Sequence, residues 1–453
     1  MPAASPFEPV AEIALGPGAR VYESGWQSWT PSTSYDVGRR PHRPIASAAI
    51  MNGWGNRLAP PDDGYQGEGL LVVDPSEGGD VVVVAARDPA HEVPTVRASA
   101  RGAAMTVSAN GPVDVLRHPT GSAMSNVLGQ WADEVSARLV AQPIRPAPTI
   151  WCSWYHYFID VTAQDIEENI SVIEKDDLPL DVIQIDDGYQ AAVGDRLTLS
   201  ERFHDLRELT KRINETGRRA GIWVAPFLAG ESSALARDHP DWLLSGDDGP
   251  VSAGRNWGQQ VFGLDLTHPA VCDYLGLVFG SLVDLGFDFF KLDFLYAGAL
   301  EGHRRKNVSS VCAYRSGLDL VREAVGLSPY LLGCGAPILP SVGKVDAMRV
   351  SPDTAPHFEP RDGDLSAPSG RSSILTGRGR SWQHGRWWVN DPDCLLTGSA
   401  VEERAVLVGH IERYGGLIGV SDRMADLDDW GRSTLERLCR ERPGPTPFTD
   451  LWW

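Results

Sequence analysis

The chain has 453 residues, and its 41 Lys and Arg against 60 Asp and Glu leave a net charge of −19. Hydrophobic residues make up 42% and charged residues 22%, the balance of a chain that folds around a core, which excludes disorder, collagen and coiled coil. An acidic surface repels phosphate backbones and anionic lipid, so neither nucleic acid nor a membrane is expected as a partner. Met1-Pro2-Ala3-Ala4-Ser5-Pro6 offers no basic or apolar signal segment, and no apolar run approaches the roughly 18 residues of a membrane span. A cytoplasmic protein is expected. Its six cysteines (Cys152, Cys272, Cys312, Cys334, Cys394, Cys439) lack CxxC spacing and suit reduced core thiols, with neither disulfides nor structural zinc.

Short apolar or alternating runs at 69–73, 80–86, 92–98 and 104–108, set off by Gly, Pro and Asp clusters, predict antiparallel strands. Met124, Val127, Trp131, Val135 and Leu139 then fall at helical spacing on one face. Residues 1–142 are read as a small β-sandwich-like domain with a linking helix. Ala141-Gln-Pro-Ile-Arg-Pro-Ala-Pro148 is a stiff extended connector, and the boundary is placed there.

From 149 to 440 the rhythm becomes apolar strand, loop, amphipathic helix. Strands are predicted at 150–154, 180–185, 220–226, 287–294, 329–334, 345–350, 387–390 and 417–420. Thr162 and Asp165 resemble a capping box ahead of Ile166, Ile170 and Ile173. The helix after Thr267 carries Leu275, Val278, Leu282 and Leu285 and stops at Gly286; another runs from Val311 to Gly326. Strands alternating with helices in this number predict a catalytic (β/α)8 barrel, with a doubly wound sheet as the alternative.

Barrel sites are built at the C-terminal strand ends, and here those ends are acidic. The second strand ends in Asp186-Asp187-Gly188-Tyr189, the fourth in Lys291-Leu-Asp293, the sixth runs into Arg349-Val-Ser-Pro-Asp353, and the seventh ends in Asn390-Asp391-Pro392-Asp393. One such Asp is more often a turn or helix cap than a catalyst. Four strands ending this way on one rim, with Lys291 and Arg349 among them, fit glycoside hydrolysis, which needs one carboxylate and one carboxylic acid while other polar groups hold hydroxyls. The eleven His are scattered without HExxH, so no metal is expected, and no cofactor either, since there is no P-loop and no dinucleotide fingerprint. Asp391-Pro-Asp393 leaves a metal-dependent glycosyltransferase open as a weak alternative. Trp151, Trp223 and Trp257, near strand ends, are candidate sugar platforms or core residues. Gly25-Trp26-Gln27-Ser28-Trp29 is expected to pack against the barrel.

In this order the strand-end motifs resemble the melibiase-type enzymes, the α-galactosidases of glycoside hydrolase family 36 and their relatives in family 27. The resemblance rests on Trp151-Cys-Ser-Trp154, Asp186-Asp-Gly-Tyr189, Gly221-Ile-Trp-Val-Ala-Pro-Phe227, Leu264-Asp-Leu-Thr-His-Pro269, Lys291-Leu-Asp293, Arg349 to Asp353 and Asn390-Asp-Pro-Asp-Cys394, and covers roughly residues 149–435. It implies that Asp293 is the nucleophile and Asp353 the acid/base of a retaining mechanism. Asp186 and Asp187 would grip hydroxyls on the far side of galactose, Lys291 and Arg349 would hold hydroxyls near the reacting carbon, and Asp393 would support the acid/base region. The expected substrate is a terminal α-galactoside. The alternatives are a galactose-like sugar such as α-N-acetylgalactosamine or β-L-arabinopyranose, transfer to another sugar, and a sugar-binding protein without catalysis. A homo-oligomer is compatible with the pattern. Tyr189 stands where many relatives have Trp, the N-terminal sandwich is about half the usual size, and no C-terminal β-domain is expected.

Overall fold

The computed structural model describes residues 5–45, 51, 58–441 and 443–448. Eight parallel strands form the central sheet: Thr149–Cys152, Val182–Ile185, Arg219–Val224, Phe287–Leu292, Tyr330–Gly333, Ala347–Arg349, Val389–Asp391 and Ile418–Val420. Neighbours in sequence are neighbours in the sheet, and the eighth strand pairs with the first. The seam to the seventh is closed by hydrogen bonds from Leu395 N–H to the Gly419 carbonyl (2.7 Å) and from Leu417 N–H to the Asn390 carbonyl (2.9 Å). This is the expected (β/α)8 barrel.

The strand period of two sorts side chains into layers inside the barrel. Ile150, Val182, Phe289, Leu332, Ala347, Val389 and Leu417 make an apolar floor. Two residues further along each strand, the same face carries Cys152, Gln184, Lys291, Arg349 and Asp391, and two further again Asp186, Asp293 and Asp393. The polar groups are thus stacked at the C-terminal mouth above a dry plug. Helices follow the predicted signals. Thr162 and Asp165 form a reciprocal capping box on Ala163–Lys175, Pro269–Leu285 ends at Gly286 in the left-handed conformation (φ 105°), and Ser310–Val325 ends at Gly326.

The N-terminal part is two antiparallel sheets. One joins Glu8–Ala14, Ala104–Ala109, Thr95–Arg101 and Tyr65–Glu68; the other joins Thr33–Asp36, Arg20–Glu23, Leu70–Asp74, Val81–Ala86 and Val113–His118. The strand expected at 92–98 begins only at Thr95, after Pro94, which has no N–H to give a ladder. In Val81–Ala86 every residue is buried: Val82 and Val84 fill the sandwich, while Val81, Val83 and Ala85 belong to the large core shared with the barrel. That strand is apolar on both faces because both faces are covered. The helix Met124–Leu139 adds Trp131, which meets Trp387 edge-on at 5.7 Å between ring centres, and the Trp387 indole N–H donates to the Ala132 carbonyl (3.0 Å). All six cysteines are free thiols. No helix among the described residues is long and apolar enough to cross a membrane.

Candidate active site

A cavity of about 390 Å³ opens at the C-terminal mouth of the barrel, and Asp186, Asp187, Lys291, Asp293, Asp353, Trp223 and Trp257 all line it. On one side, Lys291 Nζ lies 2.9 Å from Asp186 Oδ2 and 3.9 Å from Asp293 Oδ2. Burial works against the ammonium, yet Asp186, Cys152, Asp293 and Cys334 together outweigh it and the Lys291 pKa lies well above its ordinary value. Asp293 Oδ2 also accepts from the Trp223 indole N–H (3.0 Å), and Oδ1 from the Phe294 N–H (2.7 Å). That last bond depends on Phe294 taking the left-handed conformation (φ 51°), which ends the strand two residues earlier than expected.

Asp187 accepts from Gly188 N–H (2.8 Å), Gln190 Nε2 (3.1 Å) and the Trp257 indole N–H (2.8 Å), while burial raises its pKa. Trp257 reaches it from a hairpin outside the barrel sheet, between Ser252–Asn256 and Gln259–Gly263. The two turn residues, Trp257 and Gly258, both have positive φ (51° and 72°), as a tight primed turn requires. A bulky residue is costly there, and such strain is concentrated where a side chain must be aimed.

Asp353 lines the same cavity as Asp293, its side chain 31% exposed. Behind it, Arg349 spends its guanidinium on three carboxylates: Nη1 to Asp353 (3.0 Å), Nε to Asp391 (3.0 Å) and Nη2 to Asp393 (2.6 Å). Burial first, and then the neighbouring Asp393, push the Asp353 pKa up to about 7. Burial likewise raises that of Asp391.

These positions overturn the expectation for Arg349 and leave Asp393 and Trp151 out of the cavity lining. Arg349, at 2% side-chain exposure, does not reach the cavity: it braces Asp353 rather than holding hydroxyls. Asp393 is equally enclosed, gripped by Arg349, the Thr354 N–H (2.8 Å) and the Cys394 N–H (2.6 Å), and does not line the cavity. Trp151 is fully buried and its indole N–H donates to the Asp422 carbonyl (3.0 Å). Ile150 belongs to the barrel floor, so the next residue must face the other way. Trp154, three residues on, lines the cavity in its place. Tyr189 is wholly buried as well.

Trp29, expected only to pack against the barrel, also lines the cavity. It comes from the 25–29 segment, which packs on the barrel and crosses the Phe294 ring edge-on at 5.1 Å. The fully buried Arg380 pins this segment by donating to the carbonyls of Ser28 (2.6 Å), Gln27 (2.8 Å) and Thr30 (3.0 Å). Gly335 makes room: a Cβ there would lie 2.8 Å from the indole ring of Trp29. Among the described residues no group of three or more His, Cys, Asp or Glu is arranged to hold a metal ion.

Comparison with known proteins agrees with this architecture. The Melibiase family profile matches residues 123–312. Over that stretch, which holds the first four barrel strands, the chain is similar to the melibiase type. The curated α-galactosidase AgaA of Geobacillus stearothermophilus is 32% identical over 141 residues, which are 29% of this chain and 18% of that protein. α-Xylosidase XylQ of Lactiplantibacillus pentosus is 28% identical over 140 residues, 30% of this chain and 18% of that protein. These sequence matches therefore span less than a fifth of either relative. Among solved structures, TtGalA, an α-galactosidase of Thermus thermophilus in complex with p-nitrophenyl α-D-galactopyranoside, superposes with a TM-score of 0.81 at 27% identity, covering 98% of this chain and 92% of that one. Its stachyose complex gives 0.82 at 26% identity, covering 97% of each chain.

Proposed function

We propose that the protein is a retaining exo-glycosidase that removes terminal α-galactosyl residues. The observation that carries this reading is the division of labour between two carboxyl groups of one cavity. Asp293 has the Lys291 cation and the Trp223 N–H beside it, whereas Asp353 has a pKa of about 7. One is equipped to attack and the other to give a proton. In the first step Asp293 Oδ bonds to the anomeric carbon as the bond to the leaving oxygen breaks and that oxygen takes the Asp353 proton. In the second, the Asp353 carboxylate takes a proton from water, whose oxygen displaces Asp293 and restores the α-configuration. Asp186, Asp187 and Lys291 line the pocket as partners for the sugar hydroxyls, with Trp223 and Trp257 as apolar walls. The similarity to galactoside-bound TtGalA supports galactose as the glycone.

Proton NMR of fresh product tests the stereochemistry: the α-anomer is expected first, and initial β-anomer would show inversion. Because only protonated Asp353 is an acid, kcat/KM on glycosides with poor leaving groups should fall as pH climbs through about 7. A flat profile to pH 9 would place the acid elsewhere. Asp187→Ala should lower kcat/KM by about 100-fold or more with an unchanged unfolding temperature, since the hydroxyl partner and the Trp257 anchor go together. Near wild-type kinetics would remove Asp187 from the glycone site. A panel of nitrophenyl glycosides, with α-galactoside, α-N-acetylgalactosaminide, β-L-arabinopyranoside and α-xyloside, separates the glycones.

A further inference from the structure

Tyr155 is buried, follows the cavity-lining Trp154 in the four-residue helix Trp154–Tyr157, and has its phenol O–H donating to Asp393 Oδ2. Its backbone is anchored too, the N–H donating to Ser421 Oγ (2.9 Å), and that Oγ donates to the Cys152 carbonyl (2.7 Å). Sequence motifs did not single it out, and the two-carboxylate mechanism above does not use it. We infer that Tyr155 is a positioning residue that keeps the proton on Asp353 by occupying the Asp393 carboxylate as a hydrogen-bond donor. The inference rests on Asp353 being the acid.

The reasoning starts from charge. Around Arg349 lie Asp353, Asp391 and Asp393, with Cys394 and Tyr155 packed against them, while Cys334 follows the fifth strand and Lys291 and Asp293 stand at the end of the fourth. One guanidinium cannot balance three carboxylates in so dry a place, so a proton is retained among them. A proton on Asp391 or Asp393 is useless for catalysis, because both are sealed from the cavity at 3% and 0% side-chain exposure. Asp353 is the one member that reaches substrate. The proton is shared according to the donors each carboxylate accepts, so every donor lost from Asp393 draws it away from Asp353. Asp393 receives Arg349 Nη2, two backbone N–H groups and the phenol, whereas among the described residues Asp353 receives Arg349 Nη1 alone. The phenol cannot itself be lost at ordinary pH, since burial and the adjoining carboxylates raise its pKa well above the usual value.

Trp154 and Tyr155 are consecutive, so one short helix places an indole in the cavity and a phenol behind the acid.

Tyr155→Phe removes only the oxygen. The shared proton then divides its time between Asp353 and Asp393, and glycosylation that depends on protonation slows. We expect kcat/KM on a galactosyl disaccharide to fall by about 2- to 10-fold, with a 2,4-dinitrophenyl galactoside affected less than about 1.5-fold. The alkaline limb should move to higher pH while the plateau drops, because the carboxylate pair as a whole now holds its proton more tightly. A merely loosened site would admit water to Asp353 and move the limb down. Equal losses on both substrates, an unchanged disaccharide rate, or a limb moved to lower pH would each overturn the inference. Asp353→Asn, assayed alongside, keeps the two readings apart. If it spares the disaccharide, the acid assignment fails and the inference with it. If it does not, and Tyr155→Phe does, only the role of Tyr155 fails.

Discussion

Asp293→Gly is expected to lower turnover by several orders of magnitude, and added azide to restore part of it on substrates with activated leaving groups. Removing the side chain vacates space beside Lys291 Nζ and the Trp223 indole N–H, the two groups that surround the carboxylate. A small anion can enter there and attack the anomeric carbon from the side that Asp293 faces. The product should be a β-galactosyl azide, the inverted configuration, because only the first of the two displacements has occurred. The wild-type enzyme, completing both, should release the α-anomer. Asp353 is untouched in the variant, so the rescue should be strongest where protonation matters least. Mass spectrometry identifies the azide adduct and NMR its configuration. An α-galactosyl azide, or a variant with wild-type rates, would end the assignment of Asp293 as nucleophile.

The barrel was legible because each strand is a local object, an apolar run followed by a turn and a helix with its own caps. All eight central strands and the capping box at Thr162 fall where the pattern puts them. Carboxylates ending apolar strands were equally readable, since direction along a strand is fixed by the barrel rule. Which face a residue takes is a parity question, and parity slips by one residue turn a side chain round. Parity is what puts Trp151 in the core and leaves the cavity to Trp154. Arg349 and Asp393 were recognisable as site residues, but sequence does not show that a guanidinium is saturated by other carboxylates. Trp29 and Arg380 are separated by some 350 positions in the chain and meet only through packing of the sandwich loop on the barrel. Arg380 in particular reads as a surface cation at a helix end, yet it is wholly buried by backbone carbonyls.

Arg349→Met should damage both fold and function, and the pH dependence distinguishes the causes. Breaking a buried ion pair by removing one partner costs about 3–5 kcal/mol, because the carboxylates left behind are uncompensated. Asp353 and Asp391 already titrate above the ordinary carboxylate range through burial, and Arg349 is what restrains them. Without it their pKa values rise further. A carboxyl group whose pKa is raised in the folded state contributes stability below its unfolded value, roughly 4, and loses that contribution as pH rises through the folded value. The variant's deficit in unfolding temperature should therefore be larger at pH 8 than at pH 5, where protonation relieves the repulsion. Activity should drop by about 100-fold or more at every pH, since Asp353 is no longer held at the cavity. Arg349→Lys should not rescue it: one ammonium cannot span Asp353, Asp391 and Asp393 as the three nitrogens of the guanidinium do. Paired thermal melts at the two pH values, with kinetics on the same samples, decide the matter. Equal deficits at both, or a Lys variant with native kinetics, would show that the three carboxylates do not depend on this residue.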